Sequence, residues 1–271
     1  MTDQKSNLGK RVLLKQGDCL ELMKEIPDKS IDLVLCDLPY GTTASNWDKA
    51  LPMNLLWEQY DRIIKDVGSV VLFASGMFEP RVILSNLEHY KYKWVWVKNK
   101  STNFVHAKNR PMTKHESILV FSKAPMGHAS QLGEKRMRYN PQGLVKINKT
   151  VKAGKNKFGT VAGKRPSHKE EYIAEYTNYP NDVLTGFEVE GGYVYHTNQK
   201  PVSLLEYLIK TYTDENQIVL DNCMGSGSTG VACINTNRRF IGYEINEEYF
   251  KISKYRISEA IKEKEEHYDN N

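Results

Sequence analysis

Residues 31–36 read IDLVLC, a nearly continuous apolar run only six residues long. A strand that is hydrophobic on both faces belongs in the middle of a sheet covered on both sides, which is the habit of parallel sheets. Further short strand-like runs occur in RVLLKQG, GSVVLFAS, YKWVWVK, ESILVFSK, QIVLDNC and RRFIGYEI. Between them lie stretches with apolar residues at helical spacing: 18–26, 54–66, 79–90, 200–213, the GSGSTGVACINT stretch and the long C-terminal segment from Glu247. Alternation of this kind predicts an α/β fold, an open and mostly parallel sheet with helices on both faces. In such sheets ligands sit beyond the carboxyl ends of the strands.

The pattern fades between residues 124 and 192. Glycine, lysine, asparagine and proline rise, and helical spacing returns only near 168–176. The chain is thus expected to divide into one α/β domain, residues 1–123 with 193–271, and an inserted region, 124–192. From Lys135 to Lys169 the insert carries eleven lysines and arginines and no acidic residue. A block like that is either a polyanion-binding surface or a solvated loop.

Other features exclude more than they assign. The four cysteines show no CxxC spacing, so neither zinc nor a disulfide framework is expected, and all four read as small buried hydrophobes. No metal site is expected. No apolar run approaches the ~20 residues of a membrane span. The segment MTDQKSNLGK has no apolar signal core, so a cytoplasmic, membrane-free protein is expected.

Two stretches can carry chemistry. DNCMGSGSTG, residues 221–230, leaves a strand and opens a helix. It lacks the lysine of a phosphate-cradling loop and is not a full GxGxxG. Taken alone it also suits a plain tight turn. Nineteen residues after Gly225, Glu244 ends the next strand, where a carboxylate can accept from ribose hydroxyls. An adenosine-type ligand without a pyrophosphate fits best, and S-adenosylmethionine is the obvious candidate. The second stretch, Asp37-Leu38-Pro39-Tyr40-Gly41, follows the IDLVLC strand directly. It suits a β-turn closed by Asp and Pro. It also suits a pocket for an exocyclic amine on a flat ring: a carboxylate at the strand tip, outward carbonyls next to a proline without N–H, and an aromatic stacking face.

Together the stretches resemble a known family, the β-class DNA amino-methyltransferases of adenine N6 or cytosine N4. DLPY looks like their Asp/Asn/Ser-Pro-Pro-aromatic motif, with Leu38 in place of the first proline. DNCMGSGSTG looks like their cofactor loop, and HTNQKP (196–201) is similar to their HPTQKP box, departing at positions 197 and 198. Their order along the chain is that of the β class, and the likeness covers about residues 11–123 and 193–255.

The resemblance implies a Rossmann-like S-adenosylmethionine-dependent methyltransferase. Asp37 and the Leu38 carbonyl accept from the target amine, Pro39 shapes the turn, and Tyr40 stacks on the flipped base. Asp221, Met224, Gly225, Gly227 and Ser228 form the loop around the cofactor's methionine part, and Glu244 takes the ribose. Asp18 takes the adenine edge, while His196, Asn198 and Lys200 flank the methionine end. Aspartate at position 37 favours adenine N6; cytosine N4 and RNA are the alternatives, and an inactive DNA-binding protein is a third. The insert stands where relatives carry target recognition, and the loops TTASNWD and 99–110 are further expected DNA contacts. Partners implied are DNA and, left open, a second copy of the chain and a cognate restriction enzyme.

Overall fold

The computed structural model describes residues 11–41, 50–152, 171–188 and 199–269. Two compact units form, one from the residues up to Asn140 together with those from Asp182 onward, the other from Pro141–Asn181.

The first unit holds an eight-stranded sheet. In chain order its strands are β1 (Val12–Gln16), β2 (Ile31–Cys36), β3 (Ile64–Ala74), β4 (Tyr90–Thr102), β5 (Thr113–Phe121), β8 (Val183–Leu184), β9 (Ile218–Asp221) and β10 (Arg239–Glu244). Their spatial order is β1-β10-β9-β2-β3-β5-β4-β8. Pairing is parallel from β1 through β3 and between β4 and β8; β5 runs antiparallel to both β3 and β4. Helices α1 (Cys19–Met23), α2 (Met53–Ile63), α3 (Phe78–Ser85), α4 (Ala129–Leu132), α5 (Val202–Tyr212), α6 (Ser228–Asn235) and α7 (Glu247–Asp269) complete it.

Every residue of β2 is buried. Leu33 and Leu35 pack on one face with α5 and α6, while Val34 and Cys36 pack on the other with α1 and α2. Each such side chain contributes roughly 1.5–3 kcal/mol. Asp32 breaks the apolar run but is satisfied: it accepts from Lys65 Nζ at 2.7 Å and from the Ile218 N–H at 2.9 Å. A buried carboxylate needs such partners.

Three sequence expectations are corrected. Helix α2 stops at Ile63 rather than Asp66, because Ile64 pairs with Ile31 and starts β3. Helix α3 ends at Ser85, five residues before the expected limit of 90. Of residues 168–176, where helical spacing was expected, the described ones form a strand instead. They belong to β7 (Glu171–Thr177), antiparallel to β6 (Val145–Lys152), and this hairpin makes up the second unit's sheet. Tyr172, Ile173 and Tyr176 mimic helical spacing, but cross-strand pairing with Val151, Thr150 and Lys146 decides their conformation.

The separately packed unit, 141–181, is also narrower than the span 124–192. Ala124, Met137 and Leu184 are buried in the core of the first unit.

Candidate active site

The order of the central strands places the site. From β2 the chain continues to β3 on one side; from β9 it continues to β10 on the other. The switch point therefore lies between β2 and β9, and Asp37 and Asp221 stand at their carboxyl ends. A cavity of about 1130 Å³ opens there. Asp18, Asp37, Leu38, Pro39, Tyr40, Lys200, Asp221, Met224, Gly225, Ser228 and Glu244 all lie on its wall.

At one end is the DLPY turn. Leu38 packs in the core, 3% exposed, so the residue type is set by packing. Tyr40 stacks on Phe78 at 4.5 Å between centroids and 20° between planes. Its hydroxyl donates to Asp37 Oδ1 at 3.2 Å. Burial raises the Tyr40 pKa well above its ordinary value, with the Asp37 charge adding to it, so the phenol stays neutral.

Lys200 lies on the other carboxylate oxygen, its Nζ 2.5 Å from Asp37 Oδ2. It is also 3.2 Å from Glu116 Oε2, and Glu116 Oε1 accepts from Lys98 Nζ at 3.0 Å. Four charges of alternating sign thus run Asp37, Lys200, Glu116, Lys98. Burial lifts the Asp37 carboxyl above the usual aspartate value while Lys200 pulls it back. Burial works against charged Lys200 as well, but Asp37 and Glu116 outweigh it and its pKa lies above the ordinary lysine value. Glu116 resists ionisation by burial, yet Lys200 and Lys98 leave its pKa lowered. Lys200 and Asp37 each favour the other's charged form, and Lys200 and Lys98 favour that of Glu116.

At the other end is the glycine turn. Glu244 is buried, and its carboxylate accepts from the Gly225 N–H at 2.9 Å and the Asn246 N–H at 2.8 Å. Burial raises its pKa, and these backbone donors oppose the rise. Gly225 has φ +50°, and nothing lies within 4 Å of where a Cβ would stand. The cavity therefore reaches the bare backbone. Gly227 differs: with φ +82°, a Cβ there would meet Ser253 Cβ at 2.8 Å. It is not on the cavity wall and serves the close approach of α6 to α7. Asp221 is nearly enclosed; it accepts from the Cys223 N–H at 3.1 Å and the Thr229 hydroxyl at 2.6 Å, bracing the turn from behind. Asp18 caps α1, accepting from the Leu20 N–H at 2.8 Å, and the residue lines the cavity. His196 and Asn198 lie outside the described residues, as does the whole loop TTASNWD (42–48), Trp47 included.

Several residues of the site escaped sequence reasoning. Glu116 and Lys98 come from β5 and β4. Tyr60, on α2, donates to Asn222 Oδ1 at 2.6 Å beneath the turn. Arg256, on α7, donates to the Ser226 carbonyl and to the Ser226 and Ser228 hydroxyls at 2.8–3.1 Å. Cys223, read as buried, is only partly so and borders the cavity. Glu116, Lys98, Tyr60 and Arg256 carry no local motif; the Arg256 contact spans 28–30 positions and the Tyr60 contact 162.

Comparison with known proteins settles the family. The DNA methylase family matches residues 31–255. The chain belongs to that family. A DNA adenine methyltransferase of Escherichia coli K12, YhdJ, is 27% identical over 253 residues, 90% of this chain and 82% of its own. Among solved structures, the M1.HpyAVI complex with SAM is similar at a TM-score of 0.57 and 24% identity, covering 90% of this chain and 99% of that one. The PvuII DNA methyltransferase, cytosine-N4-specific, gives 0.60 and 16%, covering 93% of each. These likenesses show a shared methyltransferase fold.

Proposed function

We propose that the protein is a site-specific DNA methyltransferase that transfers a methyl group from S-adenosylmethionine to N6 of an extruded adenine. The observation that carries this is the single cavity joining the Asp37–Tyr40 turn to the Gly225–Glu244 turn across the switch point. On this reading the first turn orients the amine and the second binds the nucleoside.

The residues present suit the cofactor. The exposed backbone at Gly225 admits close approach, and Glu244 keeps lone pairs for ribose hydroxyls beyond its two backbone bonds. Asp18 and Met224 line the same end. Buried Gln199 Oε1, of a residue on the cavity wall and with no donor among the described residues, offers a further acceptor. S-adenosylmethionine would supply a methyl group already activated by its sulfonium.

The protein then has to aim a lone pair. Asp37 accepts one amino hydrogen and the Leu38 carbonyl the other, turning the nitrogen lone pair toward the methyl carbon. Alignment of this kind removes most of the barrier, and fixed charges in a dry site supply the rest. The Lys200 ammonium opposes the effect of burial and favours the charged, accepting form of Asp37. Forming the N–C bond would break the S–CH3 bond, whose electron pair would go to sulfur and leave a neutral thioether; the nitrogen would become acidic, and the Asp37 carboxylate already bonded to its N–H would receive the proton.

Adenine is favoured by aspartate at position 37 and by the likeness to an adenine enzyme. The similar fold of a cytosine-N4 enzyme keeps cytosine N4 as the second reading. Target recognition is assigned to the insert, whose β6–β7 hairpin exposes Lys146, Lys149, Lys152, Tyr172 and Tyr176. The test is transfer of labelled methyl from S-adenosylmethionine to unmethylated DNA, followed by digestion to nucleosides and mapping of modified positions. N6-methyladenine at one short motif is expected. N4-methylcytosine would overturn the choice of base, and unlabelled DNA the reaction.

A further inference from the structure

An adenine paired inside a duplex cannot reach the floor of this cavity, so on the function proposed above it must leave the stack. Extrusion leaves a gap, and proteins that unstack DNA commonly fill it with an apolar side chain. The loop between β4 and β5 offers such a side chain beside the cavity. Strands β4 and β5 join through residues 103–112, whose tip is a 3-10 turn, Phe104–His106. Phe104 is 79% exposed and Val105 89%, an adjacent pair more open to water than any other large apolar side chains described.

Scattered exposed apolar residues are ordinary, but three observations set this pair apart. First, Thr102, Asn103, His106 and Arg110, on both sides of the tip, line the cavity itself. Second, the tip is braced. Asn103 adopts φ +67°, its Nδ2 donates to Thr113 Oγ1 at 3.0 Å, and N–H groups at 106, 107 and 109 are bonded within the turn at 2.8–3.0 Å. Third, the span from Lys98 to His115 contains Lys98, Lys100, Lys108, Arg110 and Lys114 and no carboxylate. An apolar point set in a cationic frame is complementary to a base stack between phosphates.

We infer that Phe104, supported by Val105, is the wedge that enters duplex DNA and occupies the place of the extruded base. Phe104 and Val105 position the substrate and take no part in methyl transfer.

The probe is duplex DNA carrying the mapped target site, with 2-aminopurine replacing the target adenine for fluorescence and adenine retained for methylation. The variant is Phe104→Ala/Val105→Ala, at surface positions where folding is little affected. Wild type is expected to brighten 2-aminopurine on binding. The variant is expected to lose most of that rise and to methylate paired DNA at least tenfold more slowly. Placing the target adenine opposite an abasic site makes extrusion cheap. On that substrate the variant is expected to return to within about threefold of wild type, with S-adenosylmethionine affinity unchanged. Equal rates on paired DNA overturn the wedge. So does an equal loss on both substrates, which marks a general DNA contact. Conversion of a wild-type dimer to monomers by the substitution, with extrusion intact, reassigns the tip to an interface between copies. Absence of any methylation by wild type overturns the parent reading along with it; the other failures overturn the wedge alone.

Discussion

Strands β2 and β6 are of similar length and could hardly be placed more differently. All six residues of β2 are buried, whereas in β6 only Val151 is even partly covered. β2 is pinned by a strand on each side and a helical layer on each face; β6 has β7 as its partner in a two-stranded sheet. An isolated hairpin buries little and fixes little side-chain identity. Its lysines and tyrosines are thus free to be chosen for something other than folding. Rigid reaction centre and adaptable surface are kept in different units of one chain.

The largest effect should follow substitution at the tip of β2. Asp37→Asn keeps the size of the side chain but replaces a carboxylate oxygen with a donor, and methyl transfer should fall by about 10²–10³-fold. Isothermal titration with S-adenosylmethionine should show cofactor binding retained. Loss of that binding with an intact fold would break the assignment of Asp37 to the amine.

Within β2, Leu35→Ala should cost roughly 2–5 kcal/mol in denaturant unfolding, because a fully buried side chain leaves a cavity.

The third effect is one of pH. Burial lifts the Asp221 carboxyl to about 6 from 3.8, with the Thr229 hydroxyl and Cys223 N–H resisting. The native state then holds this proton more tightly than the unfolded chain does. Stability from this group is complete below 3.8 and lost as pH rises through about 6. The span is worth on the order of 3 kcal/mol. Asp221→Asn cannot titrate, so the stability of wild type relative to this variant should decline over that window in chemical denaturation at stepped pH. A flat difference would mean the carboxylate is better solvated than its burial implies.

The hairpin should respond in the opposite way. Replacing Lys146, Lys149 and Lys152 by alanine should leave stability nearly unchanged. It should lower the slope of log affinity against log salt for duplex DNA by about 0.9 per lysine that sits on a phosphate. The smallest effect is expected from Ile173→Ala on β7, within about 0.5 kcal/mol in thermal unfolding, since this side chain is 65% exposed. A cost as large as that of Leu35→Ala would erase the contrast between the two strands.

Both ends of the cavity were legible because each depends on short-range rules. A strand that ends in aspartate and proline places its carboxylate at the sheet edge, and a glycine turn between a strand and a helix leaves its backbone open; Asp37, Gly225 and Glu244 follow from that. β7 was misread because the spacing of its aromatic residues suits both periods, and only its partner strand chooses between them. Gly227 was grouped with Gly225 on sequence alone, yet the neighbour that demands it is Ser253 on α7.

Sequence alone therefore determined the class of sheet, the order of its motifs and the two turns that face each other, because strand periodicity and turn chemistry act over a few residues. Tertiary structure alone decided that Lys200 would lie on Asp37, 163 positions away, and that Glu116 and Lys98 would complete the line of alternating charges. No local pattern announces such a pairing, since a charge becomes costly, and its partner necessary, only once the fold has taken both out of water.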